Sequence, residues 1–474
     1  MEPRPIRQVF LVVPPTGRYI REDRCQTPLD HMKTVSLRPP IDLMYAGACF
    51  EQGGAECRLV DYPAEEWDAE RFEEDLRRLQ PDLVLFSITT PGFEDDMRIA
   101  ALAKQALPSV ITAAKGAHFN TLDEEALRRY PGLDMALRGE YEPACRDLAR
   151  GVPWSEIGGI TYRDAAGGIV RTANPTLVQD LDSLPFPARH LVRNAFYVRP
   201  DTGEAQTTLV TNRGCPFNCI YCLANQVGGR HNRVRSVGNI IAEVCECVKK
   251  FGIRNFLFRS DLFTANRQWV MDLCGEIRAR NLDIAWVCNS RVDTLDPEML
   301  DEMKRAHCWM IAFGVESGSQ EMLDRMGKKS DLAAARQALR MTRKAGILSS
   351  VYFLMGLPWE SEETLRANEL FAREIDPDFL EIFYVYPFPG TPLYEEAVRL
   401  GLLKAGEISR QAYDLPAMPA LCLTKEQLAT ARNHALRDFY LRPRVIARTL
   451  ARCRSWRELA NYVRYGWLQL KEFL

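Results

Sequence analysis

Along the first 150 positions the apolar residues fall into short continuous blocks. Residues 9–13 (Val-Phe-Leu-Val-Val) run into Pro14-Pro15, and further blocks follow at 57–62, 82–87, 110–114 and 134–138. Short apolar runs bounded by turn residues mark parallel strands buried on both faces. Between them the spacing becomes helical, at 41–52 with a stop at Gly53-Gly54, at 67–79 on a charged stretch, and at 93–107. Such β/α alternation predicts an open, doubly wound parallel sheet. Ligands of these sheets bind outside the carboxyl ends of the strands. Here those ends carry Pro14-Pro15, Ser87 to Thr90, the run Lys115-Gly116-Ala117-His118, and Gly139-Glu140-Tyr141-Glu142.

Residues 158–180 read as a hairpin with its turn at Gly167-Gly168, and 181–187, with two prolines, as a stiff extended linker. A boundary near residue 190 follows. Strand and helix then alternate again, with strands expected at 207–211, 254–258, 284–289, 309–314, 350–354 and 381–386, and a helix at 240–251 ended by Gly252. Six such units make a partial (β/α)6 barrel, whose reactive groups belong at the strand C-termini. The expected regions are therefore 1–150, 151–200, 201–400 and 401–474. The stretch from about 425 onward is helical and basic. From Arg437 it holds nine Lys/Arg against three acids, interleaved with Trp456, Tyr462, Tyr465, Trp467 and Phe473. Such an end either caps the barrel mouth or lies on an anionic membrane surface.

Composition narrows the class. A chain of 474 residues with 46% apolar and 26% charged residues is ordinary for a globular protein of two or three domains. A net charge of −2 supplies no general attraction for nucleic acid. Fourteen scattered cysteines without a signal peptide read as reduced thiols of a cytoplasmic protein. Cys245 and Cys247 fall in a helical pattern, as ordinary helix residues. No run of about 18 apolar residues exists to span a membrane. No G-x-G-x-x-G dinucleotide fingerprint is present either.

Three of the cysteines stand apart. Cys215, Cys219 and Cys222 follow a strand and the turn Asn212-Arg213-Gly214 at the spacing C-x3-C-x2-C. Thiolates converging this way are zinc or iron–sulfur ligands. A structural zinc site is normally closed by four protein ligands, and no fourth Cys or His follows at short spacing. A [4Fe–4S] cluster held by three cysteines keeps one iron open to a small molecule. The spacing, the preceding strand and Tyr221 before the third cysteine resemble the radical S-adenosylmethionine (SAM) enzymes. The resemblance implies that the open iron binds SAM and that reduction releases a 5′-deoxyadenosyl radical, with an external donor such as flavodoxin or ferredoxin. It further implies that Asp261 receives the SAM ammonium, that Arg291 meets its carboxylate, that Glu316 accepts from the ribose hydroxyls, and that Gly356 forms the adenine-side turn.

A Rossmann-like sheet ahead of such a barrel resembles the cobalamin-binding domain of the B12-type radical SAM enzymes. Pro14-Pro15, the segment around Lys115, Gly116 and His118, and Arg138-Gly139-Glu140 carry that likeness. The D-x-H-x-x-G signature of a histidine bound to cobalt is absent, since Asp30-His31 has the wrong spacing and Gly116 stands where the Asp before His118 would be. The domain then either holds cobalamin without that ligand or is retained empty. The layout is also similar, more loosely, to the hopanoid-associated radical SAM proteins, which implies a lipid or other small-molecule substrate. Three readings follow: cobalamin-dependent methyl transfer to an unactivated carbon, a radical rearrangement, cyclisation or ring contraction without methyl transfer, and a non-catalytic cobalamin or redox sensor.

Overall fold

The computed structural model describes residues 5–23, 25–29, 37–413, 415–453 and 455–473, with side chains to residue 468. The Asp30-His31 pair, and the side chain of Phe473, lie outside the described residues. The chain is α/β and is built on two sheets, one mostly and one wholly parallel. The first contains β1 (Gln8–Val13), β2 (Glu56–Asp61), β3 (Leu83–Ser87), β4 (Ile111–Lys115), β5 (Met135–Leu137), β6 (Ile160–Arg163) and β7 (Ile169–Arg171), in the order β2-β1-β3-β4-β5-β6-β7. The first five strands are parallel and the β6–β7 hairpin joins β5 antiparallel. β3 and β4 are buried at every residue, because helices cover both faces. This is the reason their sequences are unbroken apolar runs.

The second sheet contains β8 (Gln206–Val210), β11 (Asn255–Arg259), β12 (Ala285–Ser290), β13 (Cys308–Glu316), β14 (Leu348–Met355) and β15 (Phe379–Tyr384) in sequential order, parallel throughout. Between β8 and β11 lies a two-stranded antiparallel ribbon of β9 (Asn212–Arg213) and β10 (Arg233–Val234). Six parallel strands taken in sequence, each followed by a helix, form the partial (β/α)6 barrel. Its outward faces and helices share one large apolar core, with Trp286 stacked on Phe258 at a centroid distance of 5.0 Å. The strand helices begin where the sequence supplies caps, for example Ser236 bonding Asn239 N and Asp331 bonding Ala334 N.

Two expectations shift. The helix foreseen at 93–107 is two helices, Phe93–Asp96 and Arg98–Ala106, meeting at Met97. Of the C-terminal helices, Lys425–Tyr440 runs along β15 from Tyr384 back to Leu380, while Pro443–Leu450 and Trp456–Phe473 form a cap, but over the opposite end of the barrel from its mouth. Arg448 and Arg452 pair with Asp376 and Asp378 just before β15, and Asn461 donates to the Asp201 carbonyl ahead of β8 at 2.7 Å. Acidic residues gathered at the strand N-termini draw the basic helices there. Among the described residues no helix is long and apolar enough to cross a membrane.

Candidate active site

The carboxyl ends of both sheets face each other, and the loops after the strands fill the space between. The cysteine loop leaves β8 through the β9–β10 ribbon. Gly214 turns it with φ +91°, and any Cβ there would run into the His231 carbonyl, so only glycine fits. Asp261, in the loop after β11, accepts from Gly214 N, and its own N–H donates to Asn212 Oδ1 at 2.9 Å. That residue thus ties the turn before the first thiol to the next strand.

All three thiols are half-buried and none is in a disulfide. Cys222 Sγ accepts from Ala224 N at 3.4 Å, and the Cys219 thiol, raised by burial, points at the Gly327 carbonyl. Three thiols on one loop after β8, at the spacing C-x3-C-x2-C, suit the irons of a cluster.

Around the thiols stand the residues at the ends of the next strands. Glu316 closes β13 with φ +70°, in the left-handed region that a non-glycine residue adopts at a cost. It is buried, pairs with Lys328 Nζ at 2.8 Å and accepts from the Tyr221 hydroxyl. Tyr221, half-buried beside Cys219 and Cys222, is thereby pushed well above its ordinary range, by burial first and then by Glu316. Arg291 lies over the Phe217 ring at 3.7 Å and donates to both Asp293 oxygens and to the carbonyls of Lys328 and Lys329. Four of its five N–H groups are used within the protein. Gly356, at φ +86°, opens the turn after β14, and its N–H donates to Glu360.

On the first sheet, the predicted residues separate into two places. Lys115 is buried over the Tyr141 ring between Asp42 at 2.8 Å and Asp23 at 3.2 Å; burial pulls its ammonium down, and the two carboxylates more than restore it. Asp42 also meets Arg259 of β11 at 3.1 Å, so this group joins the two sheets. Glu140, buried, takes Arg233 at 2.7 Å and Arg213 at 3.5 Å, and its neighbour Glu142 takes Arg213 at 2.5 Å. The ribbon carrying the cysteine loop is therefore clamped to the first sheet. Gly116 passes so close to Ile88 that a Cβ would meet its carbonyl at 2.9 Å. His118 lies elsewhere, stacked on Phe93 at 3.9 Å, and burial brings its imidazole down to about 3. Its Nδ1 and the Thr90 hydroxyl are buried without a hydrogen-bond partner, at the ends of β4 and β3 beside the switch in strand order. Orphaned polar atoms at that edge suit a ligand with polar groups on its rim.

Sequence reasoning missed Lys328, Glu360 and the Arg213–Arg233 pair. Glu360 is buried, its carboxyl raised to about 8 by burial despite the Gly356 and Leu357 N–H groups. It also lies 3.5 Å from Asn368 Nδ2, whose Oδ1 receives Ser317 Oγ and Gly318 N. One carboxyl thus links the turns after β13 and β14. The only signals were an acid four residues after a turn glycine and a lysine after Gly327.

Comparison with known proteins agrees with this geometry. Residues 33–149 match the B12 binding domain family and residues 209–371 the Radical SAM superfamily. The chain is 29% identical over 450 residues to an uncharacterized methyltransferase of Pyrococcus horikoshii, covering 94% of this chain and 95% of that one. It is 27% identical to the anaerobic magnesium-protoporphyrin IX monomethyl ester cyclase of Cereibacter sphaeroides, over 85% of this chain and 67% of the other. Its fold is similar to that of OxsB, a cobalamin-dependent S-adenosylmethionine radical enzyme solved with aqua-cobalamin and S-adenosylmethionine bound. There the TM-score is 0.71 at 18% identity, with 98% of this chain and 72% of OxsB covered. With both family domains in one chain and the cysteine loop between their ligand edges, the protein belongs to the B12-binding-domain radical SAM enzymes.

Proposed function

We propose that this enzyme is a cobalamin-dependent C-methyltransferase acting on an unactivated carbon of a small molecule, with a lipid or another natural product as the substrate class. One observation carries the reading: three thiols outside any disulfide, at the spacing C-x3-C-x2-C, stand on a loop whose ribbon is clamped by Glu140 and Glu142 to the ligand edge of a B12-type sheet. When bound, a [4Fe–4S] cluster supplies the electron that cleaves SAM, and cobalamin carries the methyl group. Cys215, Cys219 and Cys222 hold the cluster. Glu316, oriented by Tyr221 and Lys328, offers its carboxylate to a ribose diol, while Asp261 and Arg291 hold the walls of the cysteine loop and Gly356 the turn beside it. Thr90 and His118 offer their open polar atoms to the cobalamin, and Lys115, Gly116 and Glu140 keep that sheet edge in place. Electrons come from an external donor of the flavodoxin or ferredoxin kind.

A second reading, radical ring formation without methyl transfer, is favoured by the 27% identity to the Cereibacter sphaeroides cyclase. Anaerobic protein made with cobalamin supplied separates the two. About four irons and about one cobalt per chain, with label from methyl-labelled SAM recovered in a product, are expected. Iron without cobalt, and no transferred label, would turn the assignment to ring formation. No iron after reconstitution would end both.

A further inference from the structure

The mouth of the barrel opens on a lumen with room in it. Along β12 to β15 alternate residues enter the outer core, among them Cys288, Phe313, Val351 and Ile382, so their neighbours face inward. Asn289 is one of these. It stands on an inner strand of the sheet and is nevertheless exposed, with only Ala312 and Gly314 beside it on β13.

A part of the first domain reaches into this lumen. After β1 the chain turns back on itself at residues 19–28, where Ile20 N donates to the Thr27 carbonyl at 2.9 Å and Cys25 N to the Glu22 carbonyl at 3.0 Å. Glu22, at the tip, meets Arg259 at the end of β11 at 3.3 Å. Arg38 follows, ahead of the helix Ile41–Gln52, and its charge acts on the inward-facing Tyr352 and Glu381. Its side chain is 31% exposed, and among the described residues its one counterion is Glu22 at 3.8 Å, beyond hydrogen-bond reach. The N–H fork of the guanidinium is open to the lumen.

From Arg38 a row of rings leads back to the cysteine loop. Tyr352 lies 5.6 Å from Phe383, and Phe383 lies 6.1 Å from Tyr413, centroid to centroid. The Tyr413 hydroxyl accepts from Gln26 N and feels the charge of Cys222. The row therefore has a cation at one end and a thiol of the loop near the other. Two carboxyls stand beside the guanidinium, and neither closes it. Glu22 is shared with Arg259. Glu381 is raised by burial, which Arg38 only partly offsets, and this favours the protonated form that donates to an anion.

We propose that Arg38 anchors a carboxylate or phosphate of the substrate, whose apolar body lies along Phe383 and Tyr413 toward the cysteine loop. The substrate class is then an organic anion, and Arg38 is the residue that selects it. A planar fork of donors fits two oxygens of such a group. The assignment rests on the catalytic reading of the barrel mouth.

The test uses full-length anaerobic protein reconstituted with iron and sulfide, with cobalamin and SAM present. The probes are 4-(trifluoromethyl)benzoate and 4-(trifluoromethyl)phenylphosphonate, with binding read by fluorine NMR. The tighter of the two identifies the anion, and 4-(trifluoromethyl)benzyl alcohol is the uncharged control. Arg38→Gln should weaken that anion about 10- to 100-fold and leave the alcohol unchanged. Arg38→Lys, which keeps the charge and loses the fork, should fall between. Arg366→Gln, at an exposed site on the helix Glu362–Ile375, should change nothing. In the unaltered protein the same anion should shield Arg38 from phenylglyoxal, read on its peptide by mass spectrometry, so the test does not depend on a variant that folds. Anion binding that ignores Arg38→Gln, or labelling that ignores the anion, would overturn the proposal. Loss of aquacobalamin or SAM from Arg38→Gln at an unchanged thermal midpoint would do so too, by giving Arg38 to a cofactor. Iron and cobalt are measured on the same samples. Anion binding at Arg38 without either metal would sink the catalytic reading alone, and loaded protein without that binding would sink this proposal alone.

Discussion

Glu316 combines two costs, a left-handed backbone and a buried carboxylate, the second offset by the lysine and tyrosine that hold it. Strain of this kind persists where the surroundings over-determine it, often at a binding site. Glu316→Gln keeps the shape and removes the charge. Losing a charge-assisted hydrogen bond to a ligand costs about 1.5–3 kcal/mol, so SAM should bind roughly 10- to 100-fold more weakly while iron content is retained. Equilibrium dialysis against iron-loaded protein measures this, and unchanged affinity would remove Glu316 from the SAM site. Glu360 gives a second residue-scale test. Its folded carboxyl is raised to about 8 from an ordinary 4.5, so the stabilisation is complete below the unfolded value and is lost as pH rises through the folded one. At about 1.36 kcal/mol per pKa unit the full span is roughly 5 kcal/mol. Wild type should lose stability relative to Glu360→Gln between about pH 4.5 and pH 8, measured by denaturant titration. Parallel pH profiles for the two proteins would show that the carboxyl is not held protonated.

The elements were legible wherever a short apolar run met a turn residue, because a strand buried on both faces has no polar position to blur it. Hence β1, β3 and β4 appear within one residue of their expected bounds, and the barrel strands, which carry polar positions such as Ser350 and Glu381, within two. The β6–β7 hairpin was legible as a hairpin, but its addition to the edge of the first sheet was not, since a pairing partner distant in sequence leaves no local pattern. The same limit hid the seat of the C-terminal helices. Their amphipathic, basic pattern says that they cover something acidic and apolar, and only Asp376 and Asp378 before β15 decide which end. Within the candidate site, the cysteine spacing was visible, whereas Lys328 and Glu360 were single polar residues among many. Gly214 belongs to this scale too, because it decides the path of a whole loop. Gly214→Ala would force the chain off the His231 carbonyl and out of its φ of +91°. The expected result is unchanged far-ultraviolet circular dichroism with most of the iron lost, and full iron content would show that the loop can yield.

At the scale of the molecule, the two sheets are held together by buried charge. Glu140 is the hub on one side, receiving two arginines from the β9–β10 ribbon. Breaking one partner of a buried ion pair typically costs about 3–5 kcal/mol, since the remaining charge is stranded. Glu140→Gln should therefore lower the thermal midpoint by several degrees and also lower the iron content, although Glu140 belongs to the opposite sheet from the cysteines. A loss of stability with normal iron content would mean that the clamp and the loop are independent. The clamp also bears on how such a gene can be rearranged. Arg213 and Arg233 flank the thiols, so their countercharges are encoded some seventy to a hundred positions earlier in the chain. A recombination event that joined this barrel to a foreign leading domain would leave two guanidinium groups beside the cysteine loop without their acids. A foreign partner would have to bring acids to the same places for the cysteine loop to keep its clamp.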